Sequence, residues 1–173
     1  LVCVVAAGGV RAQSAERSPL DATYWGVVYD VPATRDVTLH AGVPYLVDAR
    51  ATLALDLYLP PDLQPGEARP AVVFLNAIGD PPGNPVKDWG IYRTWPRLVA
   101  AHGLVGISME ADGERIDECL RAVFAFLAAE GARHGVNGGR VGVYAASANV
   151  SGAARFVLAG DAPPGLRAAV LYY

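Results

Sequence analysis

An α/β fold, with a mostly parallel sheet flanked by helices and an antiparallel hairpin at its start, follows from three observations. Leu53, Leu55, Leu57 and Leu59 alternate with Thr52, Ala54, Asp56 and Tyr58, the period-two pattern of a strand with two different faces. After Pro70 the alternation gives way to continuous apolar runs at 71–76, 104–109, 140–145 and 168–173, the signature of strands covered on both sides. Between those runs the apolar residues recur at helical spacing, so strand and helix alternate along the chain.

The elements follow in order. "DVTLHAGVPYLVD" and "ATLALDLYLPP" are two extended stretches with a short break, an antiparallel pair, and "LQPGEARP" turns the chain out of it. In "TWPRLVAAHG", Thr94 is the expected helix N-cap, Pro96 sits near the first helical position and Gly103 is the stop. Ile116, Leu120, Val123, Phe124 and Leu127 form one face of a second helix that ends at Gly131. A third helix is expected from Ala148 to Leu158.

With 173 residues, 53% of them hydrophobic, the chain has material for one core. A net charge of -3 leaves no basic stripe to neutralise a phosphate backbone, so nucleic acid is not an expected partner. No apolar run reaches the roughly 20 residues of a membrane-spanning helix. Residues 1–12, "LVCVVAAGGVRA", read as the remnant of a secretory signal without its charged front, with cleavage before Gln13, and imply a secreted or periplasmic protein. A buried first strand is the alternative. Residues 13–35 are a lead-in segment, and 36–173 form the domain. Cys3 would leave with the signal, and Cys119 falls on the core face of the second helix, so no internal disulfide is expected.

The stretch "VGVYAASANVSGA" places one serine between a buried strand and a helix. A helix-capping serine would account for it. The small neighbours argue for a nucleophile elbow, a strained turn that pushes a hydroxyl into a crevice and tolerates only small residues two places before and after. The free N–H groups of the following helix favour an oxyanion there. On these residues the chain, from about Val37 to Tyr173, resembles the α/β-hydrolase fold family, in particular its esterase and dienelactone-hydrolase-like members. The family's elbow is G-x-S-x-G, and here it stands as Ala145-Ala146-Ser147-Ala148-Asn149. "FLNAIGD" stands where the family carries an HG-type oxyanion loop, with Asn76 for the histidine and Ala77 for the first glycine. The resemblance implies Ser147 as nucleophile and the backbone N–H groups of Ala148 and Ile78, with Ala77 as the nearby alternative, as oxyanion donors. Asn76, Asn149 and Glu110 become candidates to line the substrate cleft.

A serine hydroxyl needs an adjacent base, held in turn by a carboxylate. In the family both follow the serine, yet His40, His102 and His134 all precede Ser147, and Asp161 is the only acid after it. Asp161 reads better as a solvated turn residue. His102 and His134 are expected at the opposite end of the sheet. The chain also stops on the apolar run "AAVLYY", so the expected object is an N-terminal fragment of a longer hydrolase, inactive alone, with a last strand prone to self-association.

Glu110 and Asp112 resemble a paired-carboxylate or metal site, but Asp112 is better placed as the N-cap of the second helix, and no His or Cys lies at ligand spacing. No metal is expected. No G-x-G-x-x-G opens a helix, so no nucleotide cofactor is expected either. Trp89, Tyr92 and Trp95 are either an apolar substrate wall or helix core. The sequence thus points to a serine hydrolase acting on a small ester or related carbonyl substrate, with a non-catalytic binding module and a peptidase of the same fold as alternatives.

Overall fold

A computed structural model describes residues 22–29, 31–76 and 78–173. The signal remnant 1–12, the cleavage before Gln13, Cys3 and Ala77 lie outside the described residues.

Six strands form one sheet: β1 (Thr38–Val47), β2 (Thr52–Leu59), β3 (Arg69–Phe74), β4 (Val105–Met109), β5 (Val136–Ala146) and β6 (Leu166–Tyr172). Their spatial order is β1-β2-β4-β3-β5-β6. The hairpin β1–β2 and the β2–β4 pair are antiparallel, while β4, β3, β5 and β6 run parallel. This is the mixed α/β sheet that the sequence predicts.

Among the described residues three α-helices connect the strands: α1 (Gly90–Ala101), α2 (Ile116–Glu130) and α3 (Val150–Val157). Two-faced burial explains the apolar run of β4, which is buried at every position, whereas the run at 168–173, expected to be covered on both sides, lies on the exposed edge strand β6. Val105, Ile107 and Met109 of β4 join Leu55 and Leu57 of β2, Val73 of β3 and Val143 of β5 in a core completed by Leu120, Phe124 and Leu127 of α2 and Phe156 of α3. Each such side chain, fully withdrawn from water, contributes about 1.5–3 kcal/mol. Phe124 and Phe156 meet at 5.3 Å between ring centroids and tie α2 to α3.

The intervening positions face α1. A Cβ on Gly106 of β4 would lie 2.1 Å from the Pro96 carbonyl oxygen, so only glycine lets α1 approach this closely. The half-buried Trp95 packs its ring against Phe74 and Tyr144, with centroids 6.4 and 5.7 Å apart, tying α1 to β3 and β5.

Two helix starts differ from expectation. α1 begins at Gly90, capped by Trp89, and Pro96 lies inside the helix. Thr94 instead donates its hydroxyl to the Gly90 carbonyl (2.8 Å) and accepts the Val27 N–H (2.8 Å), pinning the lead-in segment to the helix. Its short side chain satisfies backbone groups four residues back as readily as it caps. α2 begins at Ile116 with Arg115 at the cap position. Asp112 accepts the Glu114 N–H (3.0 Å) and the Arg115 guanidinium (2.9 Å), so it organises the turn before the helix instead of capping it.

The far edge of the sheet is bare. Val170, Leu171 and Tyr172 of β6, together with Tyr173, are exposed.

Candidate active site

In an open sheet, a crevice forms where successive connections leave on opposite sides of one strand, beyond the strands' carboxyl ends. Here β3 has β4 on one side and β5 on the other. The loop after β3 and the turn after β5 therefore leave the sheet side by side at its carboxyl end. Phe74 pairs in register with Tyr144, so Ile78, four residues on, and Ser147, three residues on, emerge at the same end of adjacent parallel strands.

At the end of β5, Ser147 begins a 3₁₀ turn, Ser147–Asn149, that runs directly into α3. Its φ is +54°, and among the described residues it is the only non-glycine with positive φ. A serine held in that region is strained by about 1–2 kcal/mol. Such outliers persist where the surrounding structure over-determines them, often at functional sites. Two residues before it, Ala145 is fully buried, and two after it, Asn149 is nearly so. Ser147 and Ala148 are exposed.

Asn149 is accommodated by a partner on α1. Its Nδ2 donates to the Tyr92 phenol oxygen at 2.5 Å, and the Tyr92 hydroxyl donates to the Leu75 carbonyl at 3.3 Å. Burial pushes the Tyr92 phenol up to about 12, against a smaller downward pull from the Asn149 contact, so it remains a hydrogen-bond donor at neutral pH.

The loop after β3 is held by Asp80. One oxygen of its carboxylate accepts the Asn76 side-chain amide (3.0 Å) and the Val86 N–H (2.7 Å), and the other accepts the Ala111 N–H (2.9 Å). The Asp80 N–H returns a bond to the Ala111 carbonyl at 3.2 Å. One side chain thus closes the loop on itself and fastens it to the segment after β4. Gly79 beside it has φ +77°, and a Cβ there would meet the Gly113 nitrogen at 2.7 Å. Ile78 stands at the rim, 56% exposed.

Beyond the loop lies a buried ion cluster. Lys87 Nζ is 3.2 Å from Asp56, 3.4 Å from Asp88 and 3.8 Å from Glu110. Burial pulls the ammonium down, but the surrounding carboxylates outweigh it and hold Lys87 above its usual range. Glu110 is raised, chiefly by burial, with the Ala54 N–H bond and Lys87 acting against the shift.

The structure gathers some candidates and separates others. Ser147, Ala148 and Asn149 stand together at the end of β5, and Ile78 stands in the loop after the adjacent β3. Asn76 leads into that loop but is fully buried, its amide committed to Asp80. Glu110 is turned toward β2, where its carboxylate accepts the Ala54 N–H at 2.9 Å, and β3 separates its strand from β5. The histidines all lie away from the serine. His134 stacks on Phe126 just before β5, at the opposite end of that strand from Ser147 and on the order of 25 Å away. His102 caps the end of α1, just before β4, and His40 lies near the start of β1. Asp161 forms an exposed ion pair with Arg121 at 3.1 Å, in keeping with a solvated turn. No group of His, Cys, Asp and Glu among the described residues is arranged to hold a metal ion.

Asp80 and the Tyr92–Asn149 contact escaped the sequence reading. An acid directly after the glycine of the loop was the available signal for the first. For the ion cluster it was Asp56, a carboxylate inside an apolar strand, with Lys87 the sole lysine in the sequence.

No family model matches the chain, and no curated protein does. Among solved structures it is similar to esterase 2 of Thermogutta terrifontis phosphonylated by sarin, with TM-score 0.57 and 19% identity over 76% of this chain and 52% of that one. The propionate-bound form of that esterase gives TM-score 0.57 and 20% identity over 81% and 55%. Esterase B of Lactobacillus rhamnosis gives TM-score 0.52 and 20% identity over 72% and 40%. The likeness shows a common fold. The chain spans about half the length of the Thermogutta esterase.

Proposed function

We propose that this protein is a serine hydrolase that cleaves ester or related carbonyl bonds through an acyl-enzyme. The observation that carries the proposal is the strained, exposed Ser147 at the strand-to-helix turn, in a fold shared with esterases. Its Oγ attacks the substrate carbonyl. The oxyanion that forms takes hydrogen bonds from the backbone N–H groups of Ala148, at the front of α3, and Ile78, on the clamped loop. Backbone donors do not depend on side-chain identity, so the departures from the family pattern at Asn76, Ala77 and Asn149 leave this chemistry intact.

The general base is a histidine held by a carboxylate, and we place both in sequence outside these 173 residues. Two observations support this: the chain spans about half of the Thermogutta esterase, and β6 offers uncovered apolar surface for further elements. The same proposal makes the protein an exported one, from the apolar stretch 1–12.

The test is labelling with a fluorophosphonate probe, on the protein expressed from its native reading frame and on its Ser147→Ala variant. Labelling that disappears with Ser147→Ala is the expected result. A folded protein that takes no label would make Ser147 a capping serine and the molecule a non-catalytic binding module.

A further inference from the structure

We propose that Tyr92 and Asn149 form a positioning brace that sets the spacing between the two oxyanion donors, a role that rests on the hydrolase reading above. The two donors belong to different segments: Ala148 to the turn after β5, Ile78 to the loop after β3. Something must hold one against the other. The Tyr92 phenol oxygen bonds both segments. It accepts from Asn149, the residue directly after Ala148, and donates to the carbonyl of Leu75, three residues before Ile78.

The bridge is directional and fully used. A phenol has one proton to give and lone pairs to receive. Here the proton goes to the Leu75 carbonyl and a lone pair receives the Asn149 amide. Leu75 is fixed from its other side as well, its N–H donating to the Tyr144 carbonyl at 3.0 Å. The loop root is therefore tied to β5 through its amide and to the elbow through its carbonyl. Asn149 is 7% exposed and Tyr92 is half-buried, which limits competition from solvent at the bridge.

This gives Asn149 a reason to stand where the hydrolase pattern has glycine. A glycine there would leave the elbow and α1 in contact without a polar link. The asparagine reaches across to the phenol and shares its oxygen with the oxyanion loop. Tyr92 and Asn149 touch no reacting atom in this scheme. They act through the backbone N–H groups they hold.

The experiment uses Tyr92→Phe, which deletes one oxygen, Asn149→Gly, which restores the family glycine, and the double variant. Each is expressed from the native reading frame beside wild type and Ser147→Ala, with p-nitrophenyl acetate as the probe substrate. Losing a whole oxyanion donor costs about 10²–10³ in kcat, and a displaced donor costs part of that. Each single variant is expected to lose about 10-fold in kcat with KM little changed, and the double variant no more than either single one, since the two residues make one bridge. Variants that keep wild-type kcat, or losses that multiply in the double variant, overturn the brace while leaving Ser147 as nucleophile. Turnover by wild type that is absent or survives Ser147→Ala overturns the hydrolase reading and the brace with it.

Discussion

Replacing Ser147 by glycine should make the protein more stable while removing its proposed nucleophile. At φ +54° the serine occupies a region where a side chain costs about 1–2 kcal/mol and glycine costs nothing sterically. Ser147 is exposed, so losing its hydroxymethyl group forfeits no core packing. Against the gain stands the larger entropy that glycine loses on folding, about 0.5 kcal/mol. The net is about 1 kcal/mol. The reference is Ser147→Ala, which removes the same hydroxyl but keeps a Cβ in the strained region. For a domain of this size, 1 kcal/mol moves Tm by about 2–4 °C, so calorimetry should find Ser147→Gly melting that much above Ser147→Ala. A glycine variant melting at or below the alanine variant would refute the argument, since the turn would then store no strain at this residue.

Two further outcomes follow from the charges. Asp56→Ala leaves Lys87 with its ammonium buried and its nearest carboxylate gone. Breaking a buried pair from one side costs about 3–5 kcal/mol, and the lower end applies because Asp88 and Glu110 remain. Urea unfolding measures this, and a loss below about 1 kcal/mol would mean that water screens the cluster. Asp48 is held down to about 2, first by its bond to the Arg115 guanidinium and then by the Ala51 and Arg50 N–H groups. Its folded value lies below the ordinary 3.8, so its contribution is complete above that value and disappears as pH falls toward about 2. Carbon-detected NMR titration should place the Asp48 midpoint near 2, and a midpoint near 3.8 would remove the ion pair from the account.

The sheet was legible because its signals are periodic. Alternating leucines mark β2, since successive side chains in a strand point to opposite faces, and unbroken apolar runs mark β3, β4 and β5; the run of β6 marks a strand too, but one that the described residues leave exposed. Helix starts were less legible. Thr94 and Asp112 are good capping residues, but each found a different backbone partner once tertiary contacts formed: the Gly90 carbonyl and Val27 N–H for the first, the Glu114 N–H for the second. Ser147 stood out because Ala145, Ala146 and Ala148 around it are the small residues that a strand-to-helix turn favours. Asp80 and Tyr92 could not be found that way. Their partners, Ala111 and Asn149, lie 31 and 57 positions away, and nothing in a local pattern reports which distant N–H a carboxylate will meet.

If both oxyanion donors are backbone N–H groups, the side chains of Asn76 and Asn149 are not themselves the chemistry, and their bonds hold the two turns in place. Asp80 holds one turn by gathering three donors on a single carboxylate, and the buried amide of Asn76 is one of the three. Asn149 and Tyr92 hold the other against it. Asn76 and Asn149 are therefore bonded parts of the supports. A site built on backbone donors tolerates changes at its signature positions as long as the supports change in step, and it fails when one support is altered alone.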